Sequence, residues 1–351
     1  MNILLIGDSS RLYMPYLNNY EKLLIDNQCT YTLLHWDRFN IDDSNNEFRY
    51  IDGKIGHKRN MIDYYRFSKF IKRILSKNEF DKIIVFGIPI LLFIGGVLTK
   101  RYRGNYIIDV RDYHKIVKVC NLKNIIKDSA YTVISSPDYK KWLPDNDKYL
   151  VNHNLNIDNY NDCLDESIKN RLKLNISFIG ATRDYEINID LISSLSESKC
   201  IDVYYHGEGD INPLIDEYIK KKNVKNAFLT GRYSKKDEGI LYHKSDLINV
   251  LRLNDSINNE TALPNRLYNA AYYCKPMLAY EGTYLSEIIN KYNLGLVINT
   301  FENLEMVIKN YFDNFEYDKY ISGRAEFLNM AINDNKKFIL AIKSFLNEQS
   351  D

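Results

Sequence analysis

The residues most suited to chemistry lie in one stretch of the second half, NETALPNRLYNA at 259–270. Pro264 fixes a backbone dihedral angle at a helical value, so it predicts the first turn of a helix. Glu260 lies in the polar loop before it, beside the amides that such a helix leaves free. Free amides and the positive end of the helix dipole bind anions, so the stretch predicts a site that suits a diphosphate.

Pro264 alone would indicate no more than an ordinary helix start. The segments that follow it, CKPMLA at 274–279 and EGTYLSEI at 281–288, strengthen the prediction of a binding site.

Several common sites are absent from the sequence. The first apolar run is not followed by Gly-x-Gly-x-x-Gly, and GDSS at 7–10 has neither the spacing nor the lysine of a P-loop. Dinucleotide-dependent oxidoreductases and P-loop NTPases are therefore disfavoured. The six histidines are far apart and no spacing such as HExxH occurs, so we expect no dedicated metal site.

Short apolar runs alternate with helical stretches along both halves of the chain. Runs rich in β-branched and aromatic residues predict buried parallel strands. These strands are predicted at 3–7, 31–36, 82–86, 106–110 and 130–135, and then at 176–180, 201–206, 227–231, 247–251, 276–279 and 296–298. Helical spacing of apolar residues predicts intervening helices, most clearly at 63–76. The alternation predicts an α/β fold with two doubly wound, Rossmann-like domains.

A polar segment at 152–173 has little apolar periodicity and divides the two halves. We predict an N-terminal domain at 1–155, a linker at 156–173 and a C-terminal domain at 174–315. We expect residues 316–351 to form C-terminal helices that pack back toward the N-terminal domain. Two such domains would face each other across a cleft, and doubly wound folds bind ligands outside the carboxyl ends of their strands.

The net charge of +1 conceals an asymmetry between the halves. Residues 1–150 contain 24 Lys and Arg against 17 Asp and Glu, a net charge of +7, and the remainder has a net charge of −6. The basic residues concentrate at 54–77 and 100–103. They are either solvated helix faces or a surface for anionic lipid headgroups, which attract each basic residue by about 1 kcal/mol. We expect no nucleic-acid partner, because the whole chain is not basic.

The five cysteines are scattered, without a Cys-x-x-Cys pair. Their positions favour a reducing compartment and argue against a disulfide framework or a zinc site. The amino terminus lacks the basic region of a signal peptide. The longest apolar run, 83–98, is interrupted by glycine and proline and is shorter than the roughly 20 residues of a membrane-spanning helix. We therefore expect a cytoplasmic protein, with peripheral contact at the inner face of the plasma membrane.

The second half resembles the nucleotide-sugar-binding domain of GT-B-fold glycosyltransferases. It is most similar to family 4 enzymes of capsule, exopolysaccharide and lipopolysaccharide assembly. The resemblance runs in order through FIGATR at 178–183, YHGEG at 205–209, LTGRY at 229–233 and the block at 260–288.

The resemblance implies a donor site and roles for its residues. It implies that Arg183 and Arg266 contact the donor diphosphate and that Glu260 contacts the donor sugar and acts in catalysis. The other implied donor-binding residues are Gly180, Gly207, Arg232, Pro264, Asn265 and Asn269. Asn269 stands where relatives carry a glutamate that holds the ribose, and eight residues rather than seven separate it from Glu260. An amide makes a weaker hydrogen bond to a hydroxyl than a carboxylate does.

The first half resembles an acceptor domain less closely. Asp112 and His114 follow the run at 106–110, where relatives place polar residues of the cleft. We expect them to orient or deprotonate the acceptor hydroxyl, since a base with a near-neutral pKa is effective there. An exposed loop histidine is an equal alternative for His114. Gly7, Asp8 and Ser9 are candidates for acceptor binding.

The resemblance implies transfer of a sugar, with a UDP-sugar as the expected donor, to a lipid-linked saccharide. Relatives mostly retain the anomeric configuration, and no metal or other cofactor is expected, because Arg183, Arg266 and helix amides would stabilise the leaving diphosphate. Two alternatives stay open: a nucleotide-sugar 2-epimerase of the same fold, and a non-catalytic scaffold subunit that binds a nucleotide sugar.

Overall fold

The chain forms two compact units in a computed structural model that describes residues 1–42, 47–155, 157, 160–161 and 173–348. Unit 1 comprises Met1–His153 and Asn333–Asp351, and unit 2 comprises Asn154–Ile332. The linker predicted at 156–173 lies almost wholly outside the described residues.

Unit 1 is built on a parallel sheet of seven strands. These are β1 (Asn2–Gly7), β2 (Thr30–Trp36), β3 (Glu47–Tyr50), β4 (Lys82–Phe86), β5 (Tyr106–Val110), β6 (Tyr131–Ile134) and β7 (Tyr149–Val151). Their spatial order is β3-β2-β1-β4-β5-β6-β7. Every residue of β4 and β5 is buried, as expected for central parallel strands covered on both faces.

The helices that cover this sheet include α1 (Leu17–Asp26), α2 (Met61–Lys77), α3 (Leu91–Arg101) and α4 (Leu122–Asp128). Helix α2 begins with a capping box. The side chain of Asn60 accepts a hydrogen bond from the backbone amide of Asp63, and the side chain of Asp63 accepts one from the backbone amide of Asn60. The apolar run at 83–98 divides into strand β4 and the greater part of α3. Gly95 lets α3 approach α4, since a Cβ there would lie 2.3 Å from Cδ1 of Ile125.

Unit 2 is built on a parallel sheet of six strands. These are β8 (Leu174–Ile179), β9 (Ile201–His206), β10 (Ala227–Gly231), β11 (Leu247–Asn249), β12 (Met277–Tyr280) and β13 (Gly295–Ile298). Their order is β10-β9-β8-β11-β12-β13. The helices are α5 (Tyr185–Leu195), α6 (Asn212–Lys222), α7 (Glu238–Lys244), α8 (Ile257–Thr261), α9 (Asn265–Tyr272), α10 (Tyr284–Lys291) and α11 (Leu304–Asp313). The predicted α/β class with two Rossmann-like sheets is confirmed.

The last helix, α12 (Tyr317–Asn347), contributes to both units. In its first half, Phe327 and Leu328 pack in the core of unit 2, and the buried Arg324 donates hydrogen bonds to the final carbonyls of α9. In its second half, Phe338 packs in the core of unit 1. The buried Lys82 of β4 donates to carbonyls at the end of α12, which offsets the negative end of the helix dipole.

Two findings concern the cysteines and the possibility of a membrane-spanning helix. Cys29, Cys120 and Cys200 are free thiols, whereas Cys274 is disulfide-bonded. The scattered cysteine positions did not predict this bond, because spacing along a chain does not show which side chains meet in space. Among the described residues, no helix combines the length and the apolar character that crossing a membrane requires.

Candidate functional site

The strand order of unit 2 reverses between β8 and β11, and doubly wound sheets bind ligands at such a point. Two glycine turns meet there, one after β8 and one after β9. Gly180 has a φ of +130° and Gly207 one of +124°, both of which favour glycine. A Cβ on Gly207 would lie 2.1 Å from the carbonyl oxygen of Gly180, so the turns leave no room for a side chain.

Asn212, the first residue of α6, holds the turns together. Its side-chain amide donates to the carbonyl of Gly207 at 2.9 Å, and its carbonyl oxygen accepts from the hydroxyl of Thr182. A Cβ on Gly209 would lie 2.1 Å from the carbonyl oxygen of Thr182. The turns after β8 and β9 therefore form one preorganised backbone surface.

Two buried asparagines support the turn after β8 from within the unit. The side-chain amide of Asn188 donates at 2.8 Å to the carbonyls of both Arg183 and Asp184. Asn249, the last residue of β11, donates in turn to Asn188 at 3.3 Å. Sequence reasoning missed both asparagines, although a polar residue inside the apolar run at 247–251 is a signal for Asn249.

Arg266, in the first turn of α9, places its guanidinium beside the Gly180 turn. The guanidinium carbon lies 3.5 Å from the ring centroid of Phe178, and a Cβ on Gly180 would lie 3.5 Å from Nη1. The Nε atom is buried and has no hydrogen-bond acceptor among the described residues. Burial and the positive charge of Arg252 lower the pKa of Arg266 to about 9. A half-buried cation whose Nε lacks an acceptor is an arrangement that can bind an anion.

The strand order of unit 1 reverses between β1 and β4, where a second group of polar residues meets. Asp8 follows β1, and a Cβ on Gly87, which follows β4, would lie 3.0 Å from its Oδ2 atom. The hydroxyl of Tyr64 donates to the same carboxylate oxygen at 3.3 Å, and Nη2 of Arg38 lies 3.5 Å from it. Arg38 also donates to Tyr64 at 2.9 Å, so both residues fix the position of the carboxylate.

His114 lies in this second group with one defined tautomer. Its Nδ1 atom accepts a hydrogen bond from the amide of Ile116 at 3.2 Å, so the proton of the neutral ring is on Nε2. Burial lowers the pKa of His114, which the negative charge of Asp8 opposes in part. The ring lies 6.4 Å from that of Tyr64. His114 is therefore a neutral hydrogen-bond donor close to the Asp8 carboxylate.

Solved structures share this architecture over almost the whole chain. A sucrose-phosphate synthase from Thermosynechococcus elongatus has a TM-score of 0.72 at 11% identity, covering 99% of this chain and 100% of that one. HepE of Anabaena, in complex with UDP and glucose, has a TM-score of 0.66 at 10% identity over 98% and 100%. WaaG, a glycosyltransferase of lipopolysaccharide biosynthesis, has a TM-score of 0.66 at 11% identity over 98% and 99%.

The chain has the GT-B fold. No protein-family model matches it, and neither does any curated protein sequence.

Within this GT-B chain, the segment around Glu260 differs from the prediction. The residues before Pro264 form the short helix α8, capped by Ser256, rather than a polar loop, because the Ser256 hydroxyl accepts the amide of Asn259. Glu260 is half-buried within α8. Pro264 caps α9 and Asn265 is its exposed first residue, so the helix begins where the proline predicts.

The remaining predicted site residues differ in how far their side chains are exposed to solvent. Arg183 and Arg232 follow β8 and β10 and are exposed. The half-buried side chain of Asn269 lies beside the hydroxyl of Tyr242, whose pKa is raised by burial. In unit 1, Gly7 and Ser9 flank Asp8 at the end of β1, whereas Asp112 is exposed.

Sequence reasoning missed the side chains that hold the carboxylate of Asp8 in unit 1. Tyr64 lies 56 positions from Asp8 along the chain, and Arg38 reaches both from another element. No local motif could have identified either residue, because their meeting depends on the tertiary fold.

Proposed function

We propose that the chain is a glycosyltransferase that moves a sugar from a nucleoside diphosphate sugar to a hydroxyl of a lipid-linked saccharide. The observation that supports this most strongly is the Arg266 guanidinium, which is held beside the Gly180 turn with a buried Nε that has no acceptor in the described part of the chain. A donor diphosphate supplies the negative charge and the oxygen atoms that this arrangement needs.

On the donor side, Arg266 and the amino-terminal end of α9 would bind the diphosphate and stabilise the charge that develops on it as the sugar leaves. Arg183 and Arg232 would approach the phosphates from the exposed side. Asn269 would donate to, or accept from, a ribose hydroxyl. A UDP-sugar is the proposed donor, in line with HepE, which was solved with UDP and glucose. Transfer is proposed to proceed with retention and with these cationic groups in place of a metal.

On the acceptor side, the group at the end of β1 would handle the acceptor hydroxyl. Asp8 is the proposed proton acceptor, because its carboxylate is fixed by Tyr64 and Arg38. His114 would orient the substrate as a donor through Nε2, since its Nδ1 is occupied by the amide of Ile116. Asp112 would contact the acceptor from its exposed position, and Glu260 would contact the donor sugar.

A thermal-shift screen tests the donor assignment. The protein is heated with UDP, GDP, CMP or TDP and their sugar conjugates, with and without magnesium. A ligand at 100 times its Kd adds about 2.7 kcal/mol of stability, which is readily measured. We expect one nucleotide diphosphate to raise the melting temperature without metal, and Arg266→Met to abolish that rise. Lys221→Gln, an exposed change on α6, is the control. The absence of any shift would refute the proposed donor site.

A further inference from the structure

Three aromatic rings meet on the loops of unit 1 that follow β1, β2 and β3. Tyr13 lies after β1, Phe39 after β2 and His57 after β3. The ring centroids are 4.5 Å apart for Tyr13 and Phe39, 4.7 Å for Phe39 and His57, and 4.8 Å for Tyr13 and His57. Each ring therefore contacts the other two. We call these three side chains the aromatic platform.

The aromatic platform is partly exposed to solvent. Tyr13 is 41% exposed, His57 is also exposed, and Phe39 is half-buried. The ring of His57 makes angles of 81° with that of Tyr13 and 70° with that of Phe39, so the three rings are not stacked face to face. Aromatic rings gain free energy by leaving water, so an exposed cluster of three is typical of a binding surface.

One guanidinium connects the platform to the carboxylate of Asp8. Nη2 of the buried Arg38 lies 3.5 Å from Oδ2 of Asp8, and Nη1 of the same side chain donates to the backbone carbonyl of His57 at 3.0 Å. The platform and the proposed proton acceptor are therefore separated by the width of this group, and both lie beyond the carboxyl ends of neighbouring strands.

Ser10, two residues after Asp8, fixes the other two rings. Its carbonyl accepts the backbone amide of Tyr13 at 2.9 Å, and its hydroxyl accepts the backbone amide of Phe39 at 3.3 Å. The same hydroxyl donates to the buried Asp37 at 2.8 Å. Because these contacts use backbone atoms of the aromatic residues, the position of the platform does not depend on its side chains.

We propose that the aromatic platform binds a pyranose ring of the saccharide acceptor, with a hydroxyl of that sugar directed to Asp8. The oxygen atoms of a pyranose polarise its C–H groups positively, and the negative face of an aromatic ring attracts them. Tyr13 and His57 also carry atoms that can hydrogen-bond sugar hydroxyls. An alkyl chain has neither feature. The inference rests on the proposed function in one respect, namely that Asp8 receives the acceptor proton.

Saturation-transfer NMR on the full chain tests this with methyl glycosides as probes. The methyl pyranosides of glucose, galactose, mannose and N-acetylglucosamine are added one at a time and in large excess. We expect at least one probe to receive saturation, concentrated on the C–H protons of one face of its ring. Cyclohexanol, whose six-membered ring carries a single oxygen, should receive much less.

Two variants remove one platform ring each. Tyr13→Ser and His57→Gln should each weaken binding of that probe about fivefold, which is the value of one aromatic contact. Both variants keep the backbone contacts to Ser10 and Arg38. Tyr65→Ser is the matched control, because Tyr65 is a tyrosine of α2 with a similar exposure of 45%, and it should leave binding unchanged.

The outcomes separate this proposal from the donor assignment. Unchanged binding in both platform variants, equal saturation of cyclohexanol, or no saturation of any methyl glycoside would each overturn the platform. The nucleotide thermal shift, measured on the same preparations, should persist in both variants, since they leave unit 2 unaltered. Sugar binding without any nucleotide shift would refute the donor site and leave the platform standing.

Discussion

Replacing Arg266 by methionine should stabilise the ligand-free protein while abolishing donor binding. The guanidinium is held against Phe178 with a buried Nε that lacks an acceptor in the described residues, and the charge of Arg252 disfavours it further. Folding therefore moves the guanidinium into surroundings that stabilise its charged form less than water does. Methionine keeps an apolar stem against the Phe178 ring and removes the charge.

The expected gain follows from two opposing contributions. Partly burying the guanidinium costs a few kcal/mol, which the charge of Asp184 offsets only in part, and the Phe178 ring returns about 1–2 kcal/mol through a cation–π contact. We expect Arg266→Met to raise the free energy of unfolding by about 2 kcal/mol, which corresponds to about 4–8 °C in Tm for a unit of this size.

Thermal unfolding with and without the nucleotide checks both halves of the argument. The wild-type protein should gain stability with the nucleotide, and Arg266→Met should start from a higher Tm and gain none. Arg232→Met, an exposed change in the same unit, should alter the ligand-free stability by no more than about 0.5 kcal/mol. A lower Tm for ligand-free Arg266→Met, or a retained nucleotide shift, would refute the reasoning.

Three other changes test the framework of the two units. Asp37 accepts hydrogen bonds from Ser10 and from three backbone amides, which outweigh its burial and lower its pKa to about 2. Asp37→Asn should cost about 2 kcal/mol near neutral pH, a difference that is complete above pH ~4 and vanishes as the pH falls through ~2, measured by urea unfolding. Gly207→Ala should cost about 2–4 kcal/mol in thermal unfolding, because the new Cβ would meet the Gly180 carbonyl. Lys82→Met should cost about 1–3 kcal/mol in urea unfolding, because it leaves carbonyls at the end of α12 without their buried donor.

Each of these has a result that would contradict it. A pH-independent difference for Asp37→Asn would show that its hydrogen bonds do not depend on its charge. Gly231→Ala, at a φ of +74° with open space around it, should cost only about 1 kcal/mol, and an equal loss at both glycines would remove the close-contact argument. Unchanged stability of Lys82→Met would show that solvent can satisfy the end of α12.

The central strands could be predicted from the sequence because burial on both faces selects unbroken apolar runs. The predicted bounds of β4, β5, β9 and β10 agree with the structure. The edge strands β3 and β7 were missed, because all of their residues are half-buried and β3 contains Glu47 and Arg49. Helix α3 was missed because its apolar residues continue those of β4. In such an unbroken apolar run, neither the alternation of a strand nor the helical spacing of apolar residues is visible.

The candidate site could be predicted only where a local motif marks it. The resemblance implied a role for Arg266 from its position two residues after Pro264, and the structure adds its surroundings. No local motif surrounds Asn188 or Asn249. Their roles depend on hydrogen bonds that form only in the tertiary structure, those of Asn188 to two backbone carbonyls and that of Asn249 to Asn188. The role of Tyr64 likewise depends on a tertiary contact, its hydrogen bond to Asp8.

The second half of α12 completes the core of a unit whose other residues end at His153. Ribosomes add about 5–20 residues per second, so the chain between His153 and Asn333 takes roughly 10–35 s to synthesise. During that interval the nascent unit 1 exposes the apolar surface that Phe338, Ile342 and Phe345 will cover. Unit 2 has no such delay, since its residues are contiguous. A premature stop codon after Asn333 would therefore leave the core of unit 1, which is translated first, without these three side chains.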